Sequence, residues 1–209
     1  MFLKILDKKR SNILPLFESF KKDFYLAGGT ALALQIGHRD SIDFDFFSKK
    51  SIDTNKLFAN LKEIFKNHQI LKVHEEKNTL TVIIEKDIKL SFLTYPYTLI
   101  DKLIETENFK MASIREIGCM KLSAITGRAT LKDYIDLYFI LEKIKLAELL
   151  SLAQKKFPDL DTNLILKSLV YFEDLEKGPI KFENNNKINI KEIKKFFEKK
   201  VKSYLLLGE

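Results

Sequence analysis

Segment 26–47 constrains the fold of this chain more than any other part of the sequence. It reads Leu-Ala-Gly-Gly-Thr-Ala-Leu-Ala-Leu-Gln-Ile-Gly-His-Arg-Asp-Ser-Ile-Asp-Phe-Asp-Phe-Phe. The pattern predicts a buried strand, a tight glycine turn, a short helix and a second strand. Side chains alternate between the two faces of a strand, so Asp43 and Asp45 share one face and Phe44 and Phe46 the other. The segment therefore predicts two neighbouring carboxylates close to the start of a helix.

Two carboxylates this close repel each other unless a cation lies between them. Mg²⁺ (or Mn²⁺) suits the pair because it binds one or two carboxylates together with substrate phosphates. Gly28, Gly29 and Thr30 begin the predicted helix, where backbone N–H groups and a hydroxyl can bind phosphate. The segment is typical of a nucleotide and metal site in a phosphoryl-transferring enzyme. Taken singly, each part has a simpler interpretation, as an ordinary strand-to-helix turn or as surface carboxylates on an edge strand.

The turn between the helix and the second strand carries three further polar residues, His38, Arg39 and Ser41. Arg39 can neutralise phosphate charge through a bidentate contact. His38 can contact a phosphate or a base. The alternative is that these side chains only solvate a loop.

Composition restricts the classes of function that remain. The 209 residues carry a formal net charge of +7, which attracts phosphate-rich partners. Cys119 is the single cysteine, which excludes an intrachain disulfide and a thiolate metal cage and predicts a packed thiol.

No apolar run reaches the roughly 18 residues that a membrane helix needs. The start of the chain lacks the order of a signal peptide. We therefore expect a cytoplasmic protein with no membrane partner.

The hydrophobic pattern predicts an α+β fold, with a small mixed sheet and flanking helices followed by a helical C-terminal half. The sheet-containing half is expected to cover residues 1–108 and the helical half residues 109–209. Gly37 is expected to end the first helix of segment 26–47 as a left-handed cap, and Lys86-Asp87 to link two strands as a hairpin. We expect helices within 3–22 and over about 30–36, 54–66, 113–127, 145–156, 161–172 and 190–205, with another starting at 130, and strands over about 24–27, 42–47, 69–75, 79–85 and 88–95.

A second polar block lies in the helical half. Lys121 and Arg128 are seven residues apart and share a helix face, and Asp133 and Asp136 are three apart and adjacent. The simpler interpretation is a surface ion-pair network, such as Arg128 with Asp133.

The two blocks together are more specific than their parts. The pattern Gly-Gly-Thr-Ala-Leu-x5-His-Arg-x-Ser-x-Asp-x-Asp resembles the nucleotidyltransferase fold of the DNA polymerase beta superfamily. Within it, the chain is similar to abortive-infection toxins of the AbiEii/AbiGii type, which carry a Lys…Arg…Lys-Asp-x-x-Asp-Leu block like that of 121–137 here. The resemblance covers roughly residues 22–142.

The resemblance implies roles for these residues. Gly28, Gly29 and Thr30 would hold the triphosphate, and Asp43 and Asp45 would bind the metal. Lys121 with Asp136 or Asp133 would reach the site from the helical half. The remaining candidates for nucleotide binding are His38, Arg39, Ser41 and Arg128.

One position departs from the superfamily pattern, which has a third carboxylate on a later strand. Ser91, within Ile88-Lys-Leu-Ser-Phe-Leu93, occupies that position here. Serine can neither hold a second metal by charge nor act as a base. Glu85 or Asp87 could replace the carboxylate only in a different strand register. Either two carboxylates suffice with help from Asp136, or transfer is weakened.

The resemblance implies a Mg²⁺-dependent nucleotidyltransferase that moves a nucleoside monophosphate from an NTP to an acceptor hydroxyl. The expected acceptor is RNA, in particular the 3′ end of tRNA, in a toxin–antitoxin or phage-defence system with a cognate antitoxin. The basic segment 181–202 could contact RNA phosphates or could simply be a solvated lysine-rich helix face. The alternatives are a nucleotide- or RNA-binding module with weakened catalysis and a protein AMP-transferase.

Overall fold

The computed structural model describes residues 1–128, 130–176, 178–183 and 186–207. The chain forms two compact units. The first comprises Met1–Thr98 and Lys102–Ala112, and the second comprises Leu99–Asp101 and Ser113–Glu209. Within the described residues, no helix is long and apolar enough to cross a membrane.

The first unit is built on a seven-stranded sheet with the order β3-β4-β5-β2-β1-β7-β6. β2 pairs with β5 and β1 with β7 in parallel, and the other pairs are antiparallel, so the sheet is mixed as predicted. The strands are β1 Tyr25–Ala27, β2 Phe44–Ser48, β3 Ile70–Glu76, β4 Thr79–Ile84, β5 Ile88–Thr94, β6 Ile104–Glu105 and β7 Lys110–Met111.

Three helices and two 3₁₀ segments accompany this sheet. The two shortest strands, β6 and β7, were not predicted, because two residues are too few for a visible alternation. The expected helices within 3–22 are confirmed, although part of that span is 3₁₀ rather than α. The elements are 3₁₀ Leu3–Ile5, α1 Lys8–Ile13, 3₁₀ Leu14–Phe20, α2 Gly28–Ile36 and α3 Thr54–Ile64.

One face of the sheet carries an aromatic core. Phe17, from the second 3₁₀ segment, is fully buried, and its ring meets those of Phe44 and Phe46 edge-on at centroid distances of 5.0 and 5.1 Å. Phe92 of β5 stacks on Phe46 at 5.3 Å. Edge-to-face and offset contacts are the favourable arrangements for aromatic rings. The alternation predicted for Phe44 and Phe46 is therefore confirmed, and the intervening Asp45 belongs to the opposite face.

The strand predicted over 42–47 begins two residues later, at Phe44. The carbonyl of Ile42 accepts a hydrogen bond from Arg10 Nε at 2.9 Å, and that of Asp43 accepts one from the Thr30 hydroxyl. These side-chain bonds take the two carbonyls that the sheet would otherwise use. Asp43 is thus held at the entrance of the strand rather than in its ladder.

The second unit is helical, as expected. The side chain of Ser113 accepts a hydrogen bond from the N–H of Glu116 at 3.0 Å and caps α4. The carboxylate of Glu116 does not return to the cap as a full capping box would; it accepts from the N–H of Ile100 at 2.8 Å. The helices are α4 Ile114–Gly127, α5 Leu131–Leu141, α6 Leu146–Lys156, α7 Thr162–Val170 and α8 Ile190–Leu207.

The aromatic core predicts a clear stability difference. Replacing Phe17 with alanine (Phe17→Ala) is expected to lower the free energy of unfolding by about 3–5 kcal/mol, because the change leaves a cavity among rings that cannot close around it. Chemical denaturation measures the loss. The control Phe2→Ala removes an exposed ring and should cost less than about 1 kcal/mol. Equal losses in both variants would contradict this description of the core.

Candidate active site

The first turn of α2 lies against Asp45. In the antiparallel β1–β2 pair, Ala27 is the partner of Asp45, so the chain leaving β1 passes beside that carboxylate. Gly28 has a φ of +70°, which favours glycine, and a Cβ there would lie 3.1 Å from Asp45 Oδ2. The glycine thus serves both the backbone turn and the close approach of a helix N-terminus to a carboxylate.

Gly29 fits just as closely against the loop that follows α2. A Cβ on Gly29 would lie 2.5 Å from Arg39 Nη2 and 3.2 Å from Ser41 Oγ. Arg39 is almost fully buried, and its Nη1 donates to the Asp40 carbonyl at 2.9 Å. His38 is also buried in this loop, which begins at Gly37, the expected left-handed cap with φ +64°. The loop therefore places a guanidinium beside the start of α2.

Thr30 ties the helix to the carboxylate segment. Its side chain is buried, its hydroxyl oxygen lies 2.8 Å from Ser41 Oγ, and it donates to the Asp43 carbonyl. The hydroxyl expected to bind phosphate thus has structural contacts of its own. Phosphate binding by the Gly-Gly-Thr motif stays a prediction, and the backbone N–H groups of the turn are the donors that it would use.

Asp43 lies on the same side of the sheet as Asp45, as the alternation predicts. Its side chain is 46% exposed, and its Oδ2 lies 3.4 Å from Lys89 Nζ. The strand register places Lys89 and Ser91 on that side too, because both alternate with the buried Leu90. Sequence analysis did not single out Lys89, although the alternation in β5 could have indicated it.

Ser91 occupies the strand position beside the carboxylates. β5 runs parallel to β2 with Ser91 as the register partner of Asp45. Glu85 and Asp87 lie in the loop before β5, where Glu85 pairs with His68 at 3.1 Å and Asp87 with Lys9 at 3.3 Å. Neither of them therefore replaces the third carboxylate. Among the residues that the structure describes, no group of three or more His, Cys, Asp or Glu could hold a metal ion. A cation here would need substrate oxygens to complete its coordination.

Arg10 supports this arrangement from α1. Although charged, it is buried, and it donates from Nε to the Ile42 carbonyl at 2.9 Å and from Nη2 to the Asp87 carbonyl at 2.5 Å. Its charge is balanced by Asp7. The guanidinium thus fixes the residue before Asp43 to the turn before β5. In sequence it looks like any basic residue on an amphipathic helix, so no pattern could have identified it.

The second polar block forms a network inside the helical unit. Lys121 Nζ lies 2.6 Å from Asp133 Oδ1 and 2.7 Å from Asp136 Oδ2, and all three side chains are buried. Thr130 and the exposed Arg128 also contact Asp133, at 2.7 and 3.2 Å. The residues therefore form an ion-pair network, but its centre is buried rather than at the surface. Their assignment to catalysis stays a prediction.

Burial and charge act against each other on these groups. Burial disfavours the charge of Lys121, but attraction to Asp136 and Asp133 outweighs it and raises the pKa of the ammonium above its ordinary value. Burial likewise opposes ionisation of Asp133, yet Lys121 outweighs it and lowers the pKa of that carboxyl. Both groups are thus charged at neutral pH.

Cys119 is packed in the interior of α4. It is fully buried, and burial raises the pKa of its thiol to about 12. The thiol is protonated at neutral pH and is a poor nucleophile, as the expected packed thiol would be.

The buried network predicts an unusual pH dependence. Lys121→Met is expected to lower the free energy of unfolding by about 3–5 kcal/mol, because it removes the cation that the two buried carboxylates share. In wild type the lowered pKa of Asp133 contributes stability above the ordinary aspartate pKa, which is lost as pH falls. In the variant the loss of the Lys121 charge favours the protonated form of the buried carboxyls, so stability should rise as pH falls from 7 to 5.

Denaturation at a series of pH values measures this reversal. The control Lys132→Met removes an exposed lysine that precedes Asp133 in α5, and it should keep the wild-type pH profile. Equal pH profiles for Lys121→Met and wild type would show that the network does not hold the two carboxylates ionised.

The chain is similar to known proteins over most of its length. Residues 16–203 match the family described as nucleotidyl transferase AbiEii toxin, type IV TA system. An uncharacterized protein of Aquifex aeolicus (strain VF5) is 38% identical over 189 residues, which cover 88% of each chain.

Solved structures show the same fold. A putative nucleotidyltransferase from Helicobacter pylori is 18% identical, with a TM-score of 0.56 and coverage of 94% of this chain and 95% of that one. MenT4, the nucleotidyltransferase toxin Rv2826c of Mycobacterium tuberculosis H37Rv, is 14% identical, with a TM-score of 0.59 and coverage of 92% and 80%. The resemblance drawn from the two sequence blocks is confirmed, and the chain belongs to the AbiEii toxin family of nucleotidyltransferases.

Proposed function

We propose that this enzyme moves a nucleoside monophosphate from an NTP to a hydroxyl of RNA, with the triphosphate bound where α2 begins. The observation that carries the proposal is the approach of the Gly28-Gly29 turn to Asp45 and Arg39. A phosphate chain needs N–H donors and a cation close to a metal-binding carboxylate, and this turn supplies them at one point.

Gly28 and Gly29 would hold the phosphates by their backbone. The first N–H groups of a helix have no partners within the helix, and the helix dipole favours an anion there. Arg39 lies beside Gly29 and would neutralise charge on the departing pyrophosphate. His38 and Ser41, on the same loop, are proposed to support this contact.

Asp43 and Asp45 suit a divalent cation. Both carboxylates lie on one side of the sheet. Lys89 Nζ lies 3.4 Å from Asp43 Oδ2, and the metal would displace it from that carboxylate. Asp45 borders the space that a Cβ on Gly28 would fill. When bound, Mg²⁺ (or Mn²⁺) would neutralise phosphate charge and favour in-line displacement at the α-phosphorus. With Ser91 beside Asp45, the protein offers two carboxylates, which makes the metal depend on the substrate's own phosphates.

In the proposed reaction the acceptor oxygen forms a bond to the α-phosphorus while the bond to the bridging oxygen of pyrophosphate breaks. Ser91 cannot take the acceptor's proton, and carboxylates that bind a metal are weak bases. The proton therefore leaves to water at the half-exposed Asp43 side of the site.

Charge supports RNA as the acceptor. The net charge of +7 and the lysine-rich segment 181–202 favour a polyanion. Resemblance to the family suggests the 3′ end of tRNA, a cognate antitoxin and a role in phage defence. Protein as the acceptor is the alternative outcome of the test below.

A transfer assay tests the proposal. The protein is incubated with each α-labelled NTP, Mg²⁺ and total bacterial RNA. We expect label in RNA, and Asp45→Asn should reduce the rate by at least about 100-fold, because the variant loses one of the two carboxylates proposed to hold the metal ion. Omitting Mg²⁺ should have a similar effect.

The matched control is Asp23→Asn, which removes an exposed carboxylate of the same unit and should transfer at the wild-type rate. Label in protein instead of RNA would show that the acceptor is a protein side chain. Triphosphate binding with no labelled product would show that Ser91 marks a lost catalytic step.

A further inference from the structure

Four aromatic side chains form a continuous array on the first unit. The rings of Tyr25 and Phe47 stack at 6.0 Å, those of Phe47 and Tyr95 meet at 5.4 Å, and those of Tyr95 and Tyr97 meet at 4.9 Å. Tyr25 is buried, Phe47 and Tyr95 are partly buried, and Tyr97 is 41% exposed. The array therefore has a fixed inner end and an accessible outer end.

This array adjoins the carboxylates. Phe47 lies two residues after Asp45 in β2, so both side chains are on the same face and about 7 Å apart along the strand. Tyr95 continues β5 alongside β2, with its N–H donating to the Ser48 carbonyl at 2.7 Å. A ligand on the outer rings would extend from the Asp45 site along the strand direction.

The array and the phosphate-binding turn lie on opposite sides of Asp45. β1 is antiparallel to β2, with Ala27 paired to Asp45 and Tyr25 paired to Phe47. Movement from Asp45 towards Phe47 therefore leads away from Gly28. In an in-line displacement the attacking oxygen and the departing pyrophosphate take opposite sides of the phosphorus. With pyrophosphate at the Gly28-Gly29 turn, the acceptor must approach from the aromatic side.

Charge near the outer rings suits a phosphate backbone. Lys49 and Lys50 follow β2 and are exposed. The Lys50 carbonyl accepts from Thr94 Oγ1 at 3.1 Å, which fixes this lysine pair beside the start of the Tyr95–Tyr97 segment. Aromatic rings interleaved with lysines are typical of surfaces that bind single-stranded nucleic acid by base stacking.

We propose that Tyr97, Tyr95 and Phe47 form a stacking subsite for the unpaired bases at the 3′ end of the acceptor RNA, with Lys49 and Lys50 against its phosphates. This inference rests on the proposed function, since it takes the triphosphate to lie at the Gly28-Gly29 turn. An unpaired 3′ end fits because its bases can turn onto aromatic rings, whereas a duplex keeps them stacked internally.

The test separates acceptor binding from transfer. Fluorescence anisotropy measures the Kd of a fluorescein-labelled single-stranded RNA with a free 3′ hydroxyl, in the absence of NTP. Tyr97→Ala and Tyr95→Ala should each raise that Kd about tenfold through the loss of one stacked base. Tyr97→Phe keeps the ring and should stay within about twofold of wild type. Tyr171→Ala, which removes a tyrosine that is 45% exposed in the second unit, is the matched control.

Kinetics then identify what the rings bind. We expect Tyr97→Ala to raise the KM for RNA and to leave the KM for NTP unchanged. A raised KM for NTP alone would overturn the proposal and assign the rings to the NTP base. Equal Kd values for RNA across all variants would overturn it as well. Loss of RNA binding by Tyr97→Ala, in a protein whose wild type transfers nothing to RNA, would support the subsite and refute the proposed function.

Discussion

The pairing of β1 with β2 is the constraint on which the candidate site depends. Because Ala27 is opposite Asp45, the turn that leaves β1 must pass the carboxylate, and glycine avoids both the strain of a φ of +70° and a Cβ contact of 3.1 Å with Asp45 Oδ2. The helix N-terminus and the carboxylate are therefore parts of one local structure. The helix N-terminus favours an anion, and the nearby carboxylate of Asp45 favours a cation. The two together suit a phosphate that binds with a cation.

The two faces of the sheet have different roles. One face packs Phe17 against Phe44 and Phe46 and supplies the stability that holds the strands in register. The other face carries Asp45. Arg10, from α1, fixes the backbone before Asp43 by donating to the Ile42 carbonyl. In the helical unit the buried ammonium of Lys121 pairs with the carboxylates of both Asp133 and Asp136. Such a network is costly to break and gives α4 and α5 a specific pairing.

Local patterns predicted most of the architecture. The alternation in segment 26–47 predicted that Asp43 and Asp45 share one side of the sheet. The register of β2 and β5 places Ser91 beside Asp45. Patterns failed where a contact joins distant parts of the chain. Arg10 and Lys89 look like ordinary surface cations in sequence, and the buried state of Lys121 depends on two helices packing together. The strands Ile104–Glu105 and Lys110–Met111 exist only through their pairing with each other and with β1. Long-range packing, rather than propensity, determines these features.

The most direct test of the central claim is the affinity of a non-hydrolysable NTP analogue with Mg²⁺ for Gly29→Ala, measured by calorimetry. The new methyl group would displace Arg39 Nη2, 2.5 Å away, which is the end of a flexible side chain, so the fold should survive. We predict that the Kd rises at least about tenfold, because one charge-assisted phosphate contact is lost. Gly178→Ala, where a Cβ meets nothing within 4 Å, should bind as wild type does. Unchanged affinity in Gly29→Ala would contradict the assignment of the triphosphate to the start of α2.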